Sequence, residues 1–451
     1  MSLRSQRLLR LPIFLALAGG ISTAFAEAPS FEAAALADET PACVKVVGDP
    51  IEAFEIRKQL IRTAKSELLV SYYALVNDIK PLYIIALLEE AATRGVKIRM
   101  ILDDYNSNLS NEMLRYLKEH GVATKYYNPM TLKNVTRIDR RMHDKYIVVD
   151  RSLVLVGGRN LKDGYFNPDI EARKTFYDLD ALFLGDPATQ AAAYFERRWS
   201  ESPWVEDTTL PSVDEEKYAK LTKAIAGSYA EMRANGELSI QKTIADYEVV
   251  ACAKADFIAN DPITRKRDRS VERAYIAEID NAKISVEIQN PYVVPTREMK
   301  QAIKRALKRG VKVTLITNSL KSIDVGLTQS AYLNFRPRLL KWGATIYEFI
   351  HLQTLHSKIA IFDGRRVVVG SFNLDVRSAK LNSEDFVVTD DPLAVGPVRA
   401  YFNHTTGLST RIGRNGKPEG YDVRHPGTSF GQRLLNVLFR FTIAPILRSK
   451  L

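Results

Sequence analysis

The sequence predicts an α/β protein made of two duplicated lobes, each with a parallel or mixed β-sheet covered by helices. The chain has 451 residues, of which 46% are hydrophobic and 26% charged. This balance is typical of folded soluble proteins and excludes a disordered chain or a polytopic membrane protein. A run of strand, amphipathic helix and strand occurs twice, about 215 residues apart, and this order predicts βαβ units. A histidine-containing strand also occurs twice, 213 residues apart.

Residues 1–26 precede the predicted fold and have the features of a secretory signal peptide. Arg4, Arg7 and Arg10 form a basic start, an apolar run follows, and Ala24 and Ala26 supply small residues for cleavage. The run is shorter than the about 20 apolar residues of a membrane-spanning helix, although an uncleaved anchor stays open. We therefore expect export to the periplasm or cell envelope, with peripheral membrane association. Cleavage would remove three arginines and no acid, which lowers the net charge from +11 to +8; such a basic exported protein can meet anionic lipid, cell-wall polymer or nucleic acid.

The elements of the two lobes follow the same order along the chain. The predicted segments are the linker 27–48; the first lobe 49–205, with strands at 67–73 and 94–102 around a helix at 82–92; the helical connector 206–255; the second lobe 256–410, with strands at 283–290 and 309–316 around a helix at 299–307; and the basic tail 411–451. The tail alternates large apolar residues with arginines, which suits either a membrane interface or packing on the core. Cys43 and Cys252 are the only cysteines; two cysteines exclude a Cys-rich zinc module, and whether they pair stays open.

Each lobe carries one His-x-Lys-x4-Asp pattern. The six residues are His143, Lys145 and Asp150 in the first lobe, and His356, Lys358 and Asp363 in the second. Side chains alternate along a strand, so the histidine and the lysine share a face, whereas the aspartate points the other way at a turn. By this argument each aspartate braces its turn. The remaining histidines have no such neighbours and are interpreted as surface or local hydrogen-bonding residues; they are His120, His351, His404 and His425.

Amide side chains follow both motifs at the same distance. Asn160 and Asn373 come 17 residues after the motif histidines, in the segments GGRN and GSFN, and Ser371 lies beside the second. These groups can donate hydrogen bonds to a phosphate. Two histidines, two lysines and two asparagines suit the cleavage of a phosphodiester with no metal or cofactor. One imidazole attacks phosphorus, the other protonates the leaving oxygen, and the lysines and amides stabilise the charge on the phosphate oxygens.

A nucleophilic histidine needs a partner that holds it in one tautomer. Glu384, which lies 28 residues after His356, is one candidate. The first lobe offers Asp178 or Glu171.

The duplicated motif identifies the sequence as similar to the phospholipase D superfamily over nearly its whole mature length. The resemblance implies two phospholipase D-like lobes, each a mixed β-sheet flanked by helices, with one active site at the lobe interface. It also implies a metal-independent phosphohistidine mechanism with all six motif residues in the catalytic set. The N-terminal copy usually attacks in this superfamily, which favours His143 as the nucleophile.

Further segments resemble bacterial phosphatidyltransferases of the cardiolipin synthase C type. They are TNSLKSIDV at 317–325, WGATIYE at 342–348 and GSFNLDVRS at 370–378, with Val376 where that family usually has proline. The resemblance implies transfer of a phosphatidyl group to phosphatidylglycerol, which gives cardiolipin, from a donor such as phosphatidylethanolamine. The clear signal peptide departs from the family pattern and puts compartment and substrate in doubt.

Other reactions and partners stay open at this point. Hydrolysis of phospholipid to phosphatidic acid would use the same residues, with water as the acceptor. A secreted nuclease is a weaker alternative, because small nucleases of the superfamily carry one motif and dimerise, whereas two motifs in one chain favour lipid substrates and a monomer. We expect phospholipid substrates and anionic lipid at the membrane surface. No basic strip interleaved with stacking aromatic residues indicates nucleic acid.

Overall fold

The protein is built from two similar lobes, as the computed structural model shows for residues 43–107, 109–131, 134–208, 212–236, 249–264 and 268–419. Each lobe has one eight-stranded mixed β-sheet flanked by helices, which confirms the predicted fold class. The predicted signal peptide, most of the linker and the apolar part of the tail lie outside these residues. Within the described part of the chain, no helix has the length and apolar character needed to cross a membrane.

The first lobe contains nine strands and five helices. Their bounds are β1 (Val44–Val47), α1 (Pro50–Thr63), β2 (Glu67–Tyr72), α2 (Ile79–Thr93), β3 (Lys97–Asp103), α3 (Asp104–Ser107), α4 (Asn111–Glu119), β4 (Val122–Tyr127), β5 (Lys145–Val149), β6 (Leu153–Gly157), β7 (Phe176–Tyr177), β8 (Asp180–Leu184), α5 (Asp186–Glu201) and β9 (Val205–Asp207). The sheet has the strand order β1-β8-β6-β5-β2-β3-β4-β9. Strands β2, β3 and β4 are parallel, whereas β5 runs antiparallel to β2.

The second lobe repeats this arrangement after a connecting helix. Its elements are α6 (Glu215–Ala234, the connector), β10 (Ala255–Ala259), α7 (Ser270–Asn281), β11 (Ser285–Gln289), α8 (Arg297–Lys308), β12 (Lys312–Asn318), α9 (Gly326–Trp342), β13 (Thr345–Phe349), β14 (Thr354–Leu355), β15 (Ile359–Phe362), β16 (Arg366–Gly370), α10 (Val376–Lys380), β17 (Asp385–Thr389), α11 (Pro392–Gly407) and β18 (Ser409–Ile412). The order β10-β17-β16-β15-β11-β12-β13-β18 matches the first sheet strand for strand.

Helix ends and strand burial follow from the local sequence. The Asp49 carboxylate accepts a hydrogen bond of 2.8 Å from the amide of Glu52 and so caps α1, and Thr296 caps α8 through the amide of Met299. Strands β5 and β6 are buried on both faces, which is why they read as continuous apolar runs.

The two lobes share a hydrophobic core between their sheets. Residues that alternate along β5 and β15, such as Val148 and Ile361, pack in this shared cluster together with side chains of α5 and α11. The intervening residues, such as Ile147 and Ala360, face the separate helix-covered cores of the two lobes. The lobes therefore pack sheet against sheet, and the groups at the same end of both sheets meet.

Two further contacts join the segments that flank the lobes. The connecting helix α6 packs on the first lobe, since Ile225 and Met232 are buried in its core. Cys43 and Cys252 form a disulfide with their Cα atoms 4.7 Å apart. It ties the start of β1 to the segment before β10, which answers the question of pairing that the sequence left open.

Candidate active site

The two motif histidines are positioned by short parallel strand pairs that cross between the lobes. Strand β14 pairs with β7, with Leu355 opposite Tyr177, and the amide of His356 donates to the carbonyl of Tyr177 at 2.8 Å. The matching bridge on the other side joins Met142 to Ser383. The next residue on each strand is therefore a histidine of one lobe beside a carboxylate of the other.

Each histidine is held by a carboxylate from the opposite lobe. Nδ1 of His143 lies 2.8 Å from Oε2 of Glu384, and Nδ1 of His356 lies 2.6 Å from Oδ2 of Asp178. The expectation that each lobe supplies its own partner is therefore wrong. Glu171 is not a partner of either motif histidine, because its carboxylate is at the surface with His351, at 2.6 Å.

These contacts set the tautomer and the charge of both imidazoles. A carboxylate only accepts, so each Nδ1 carries the hydrogen and each Nε2 keeps its lone pair. Burial lowers the pKa of His143 and of His356 to about 4. Burial raises the pKa of Asp178, but His356 and Lys358 outweigh it and hold that pKa near 2. Both imidazoles are thus neutral at pH 7, which is the state that a nucleophile requires.

The two motif lysines are buried beside the histidines. Nζ of Lys145 donates to the carbonyl of His143 at 2.5 Å, and Nζ of Lys358 contacts the carbonyl of His356. Burial, followed by repulsion from Lys358, lowers the pKa of Lys145 to about 7, and burial lowers that of Lys358 to about 8. A bound anion would restore their full charge, so the site favours an anion over a metal cation.

The asparagines and Ser371 have different surroundings. Asn160 and Asn373 are both 5% exposed, and Nδ2 of Asn160 donates to the Tyr165 hydroxyl at 2.9 Å. The Oδ1 atoms of both asparagines accept no hydrogen bond from the described residues. The hydroxyl of Ser371 donates to Glu384 at 2.7 Å. Since a hydroxyl has one hydrogen, Ser371 orients the carboxylate, and its assignment to phosphate binding is wrong.

The motif aspartates lie at the far ends of β5 and β15. The carboxylate of Asp150 accepts three backbone hydrogen bonds of 2.8–2.9 Å from residues 65–67. That of Asp363 accepts from residues 283–285 in the same way. Both residues have positive φ, as hairpin turns of this kind require. They brace turns, as strand alternation predicted, so their inclusion in the catalytic set by resemblance is corrected.

Aromatic rings that the sequence analysis did not assign to the site enclose the histidines. Tyr73 meets His143 edge-on with ring centroids 4.8 Å apart, and Tyr165 and Phe176 lie 5.4 Å from His356. Tyr292 contacts the second histidine at 6.5 Å. Tyr73 and Tyr292 follow the first parallel strand of each lobe, so their matching positions in the repeat were the available signal.

Comparisons with known proteins agree with this geometry. Residues 58–199 and 275–406 match the family described as "Cardiolipin synthase, PLD-like domain". The chain is 28% identical to cardiolipin synthase C of Escherichia coli (strain K12), over 85% of this chain and 92% of that protein. It is 30% identical to an uncharacterized protein of Helicobacter pylori over 86% of each. Phosphatidylserine synthase of Haemophilus influenzae has the same fold, with a TM-score of 0.65 at 16% identity over 91% of this chain and 95% of that one.

Proposed function

Since the chain belongs to the cardiolipin synthase, PLD-like domain family and is a phospholipase D-like enzyme, we propose that it transfers a phosphatidyl group from a donor phospholipid to phosphatidylglycerol. The product would be cardiolipin. The observation that carries this proposal is the pair of buried imidazoles, each bonded through Nδ1 to a carboxylate. This leaves two Nε2 atoms for chemistry at one phosphorus.

The proposed reaction has two half-reactions. In the first, Nε2 of one imidazole attacks phosphorus; a P–N bond forms, the bond from phosphorus to the headgroup oxygen breaks, and the other imidazole gives that oxygen a proton. In the second, the acceptor hydroxyl loses its proton to the same imidazole, its oxygen attacks phosphorus, and the P–N bond breaks. The phosphate charge raises the pKa of the acid imidazole above its value in the empty site, so that it can hold the proton.

We assign the attack to His143. Its partner Glu384 also accepts from Ser371 at 2.7 Å and from Asn382 at 3.0 Å, and these donors share its negative charge. Asp178 has the shorter bond to its histidine, at 2.6 Å. A more strongly paired imidazole is the more basic one, which suits His356 to the acid–base role.

The lysines and asparagines would stabilise the charge on the phosphate oxygens. Lys145 and Lys358 supply two cations in a water-poor site, where their effect is large. The Asn160 amide can be turned over, because the Tyr165 hydroxyl can donate as well as accept. In that orientation both amide hydrogens point away from Tyr165 and can bind a phosphate oxygen.

We also propose that the enzyme acts outside the cytoplasm, as the N-terminal segment led us to expect. The disulfide between Cys43 and Cys252 supports this, because disulfides persist in oxidising compartments. The N-terminal residue of the purified cellular protein would test it. Residue 27 at the N-terminus supports cleavage and export, whereas an intact Met1 with both cysteines reduced in cells would contradict the proposal.

The decisive experiment incubates the purified protein with phosphatidylethanolamine and phosphatidylglycerol and resolves the lipid products. Cardiolipin supports the transfer, whereas phosphatidic acid alone would show that water is the acceptor. His143→Ala and His356→Ala should each abolish product formation, while His351→Ala, a matched change at the surface, should leave it unchanged. Activity should also survive exhaustive EDTA treatment. Substantial turnover by either motif variant would refute the two-histidine mechanism.

A further inference from the structure

Three of the large hydrophobic side chains that the described residues expose lie together on the side of the molecule that carries the motif histidines. Tyr105 is 59% exposed, Met130 52% and Ile138 41%. They follow β3 and β4, whose carboxyl ends lie at the same edge of the sheet as the start of β5. The chain then runs directly from residue 141 to His143.

Hydrogen bonds hold these side chains in a built loop. Oδ2 of Asp104 accepts from the amide of Met130 at 2.8 Å, which places Met130 beside Tyr105. Nδ2 of the buried Asn128 donates to the carbonyls of Arg137 at 3.0 Å and Arg140 at 2.7 Å. We call residues 128–141 together with Tyr105 the docking loop.

The docking loop is basic as well as apolar. Residues 128–141 contain four cations, Lys133, Arg137, Arg140 and Arg141, against the single acid Asp139. Arg141 is buried and paired with Asp103, so the remaining balance acts at the surface. Arg137, which is exposed, flanks Ile138 directly. Apolar side chains beside cations match the interface of an anionic phospholipid bilayer, where the tails take the former and the headgroups the latter.

We propose that the docking loop inserts into the surface of a bilayer that contains anionic phospholipid and so brings the cleft to its substrate. This rests on the proposed function, because a diacyl phospholipid is presented to the cleft from a bilayer. Insertion of Tyr105, Met130 and Ile138 places His143, the next motif residue along the chain, close to the headgroup layer. The partner is the lipid surface itself, independent of which headgroup the cleft accepts.

The test compares two double variants of the full chain that lose similar apolar side chains at opposite ends of the sheets. Met130→Ser/Ile138→Ser removes two anchors, whereas Ile284→Ser/Leu393→Ser changes two exposed residues far from the cleft entrance, 64% and 44% exposed. Binding is measured by co-sedimentation with vesicles of phosphatidylglycerol and phosphatidylcholine. Turnover is measured on a short-chain phospholipid below its critical micelle concentration. The loop variant should bind vesicles about tenfold more weakly and turn over the soluble substrate normally, and the control variant should match the wild type in both.

A second measurement does not depend on loss of binding. Met130→Trp should show quenching of its fluorescence by brominated lipid on vesicle addition, and Ile284→Trp should not. Equal vesicle binding by both double variants, or quenching of Ile284→Trp alone, would overturn the proposal and direct attention to another surface, such as residues 420–451. Failure of soluble turnover in the wild type would instead count against the proposed function, because vesicle binding is measured separately.

Discussion

The Gly158→Ala variant should disable His356, although the two residues belong to different lobes. Gly158 follows β6 and lies against Asp178, the carboxylate that holds Nδ1 of His356. An added Cβ would lie 2.1 Å from Oδ1 and 2.6 Å from Oδ2 of Asp178. Real Cβ atoms essentially never approach heavy atoms within 3.0 Å, so the carboxylate must move.

The size of the effect follows from that displacement. The carboxylate has to withdraw by about 1 Å, and a misplacement of that size in a catalytic group costs about 100-fold in rate. The bond from Nδ1 to Oδ2 is 2.6 Å now, and such a retreat takes it beyond the usual hydrogen-bond range. Because the tautomer and orientation of His356 depend on this bond, we expect kcat to fall about 100-fold with little change in KM.

The matched control is Ser371→Ala, the equivalent position in the second lobe. Serine already has a Cβ, so this change creates no clash and removes only the hydroxyl that donates to Glu384. A neutral hydrogen bond of this kind corresponds to about a fivefold effect. Steady-state kinetics on a soluble phosphodiester and thermal unfolding of both variants provide the comparison. A folded Gly158→Ala enzyme with kcat within about twofold of the wild type would refute the reasoning.

Three other predictions concern stability and pH. Asp150→Ala and Asp363→Ala should each lower the free energy of unfolding by about 2 kcal/mol, since each removes the acceptor of several backbone amides, while kcat of the folded fraction stays unchanged; a selective loss of kcat would restore these residues to the catalytic set. Cys43→Ser/Cys252→Ser should lower it by about 2–4 kcal/mol, and a denaturation midpoint equal to that of the wild type would contradict a structural role for the bond. Burial lowers the pKa of both motif histidines from 6.5 to about 4, so the unfolded chain takes up protons that the folded chain refuses, and stability should fall as the pH drops from 6.5 to 4 by about 3 kcal/mol per histidine; replacing either histidine by glutamine should flatten this dependence. In the same titrations kcat/KM should decline as the pH rises through 7–8, because the motif lysines lose their charge there.

The sequence by itself determined the duplicated α/β fold and the core of the site. The two copies of strand, helix and strand showed the repeat, because apolar periodicity is a local property of the chain. Alternation along β5 and β15 placed each histidine with its lysine, and predicted that Asp150 and Asp363 face turns. Hydrogen bonds to the amides of residues 65–67 and 283–285 are what the structure shows for these two carboxylates.

Only the tertiary structure decided which carboxylate serves which histidine. His143 and Glu384 are 241 residues apart, and His356 and Asp178 are 178 apart. Their pairing follows from the register of β7 against β14, and of Met142 against Ser383, across the lobe interface. No periodicity within one lobe encodes that register, because it is set by how the two sheets pack on their shared core. The same packing directs the Ser371 hydroxyl to Glu384, brings aromatic rings around the imidazoles and places Cys43 beside Cys252. Local sequence specifies which groups are available, and the packing of the lobes specifies which of them meet.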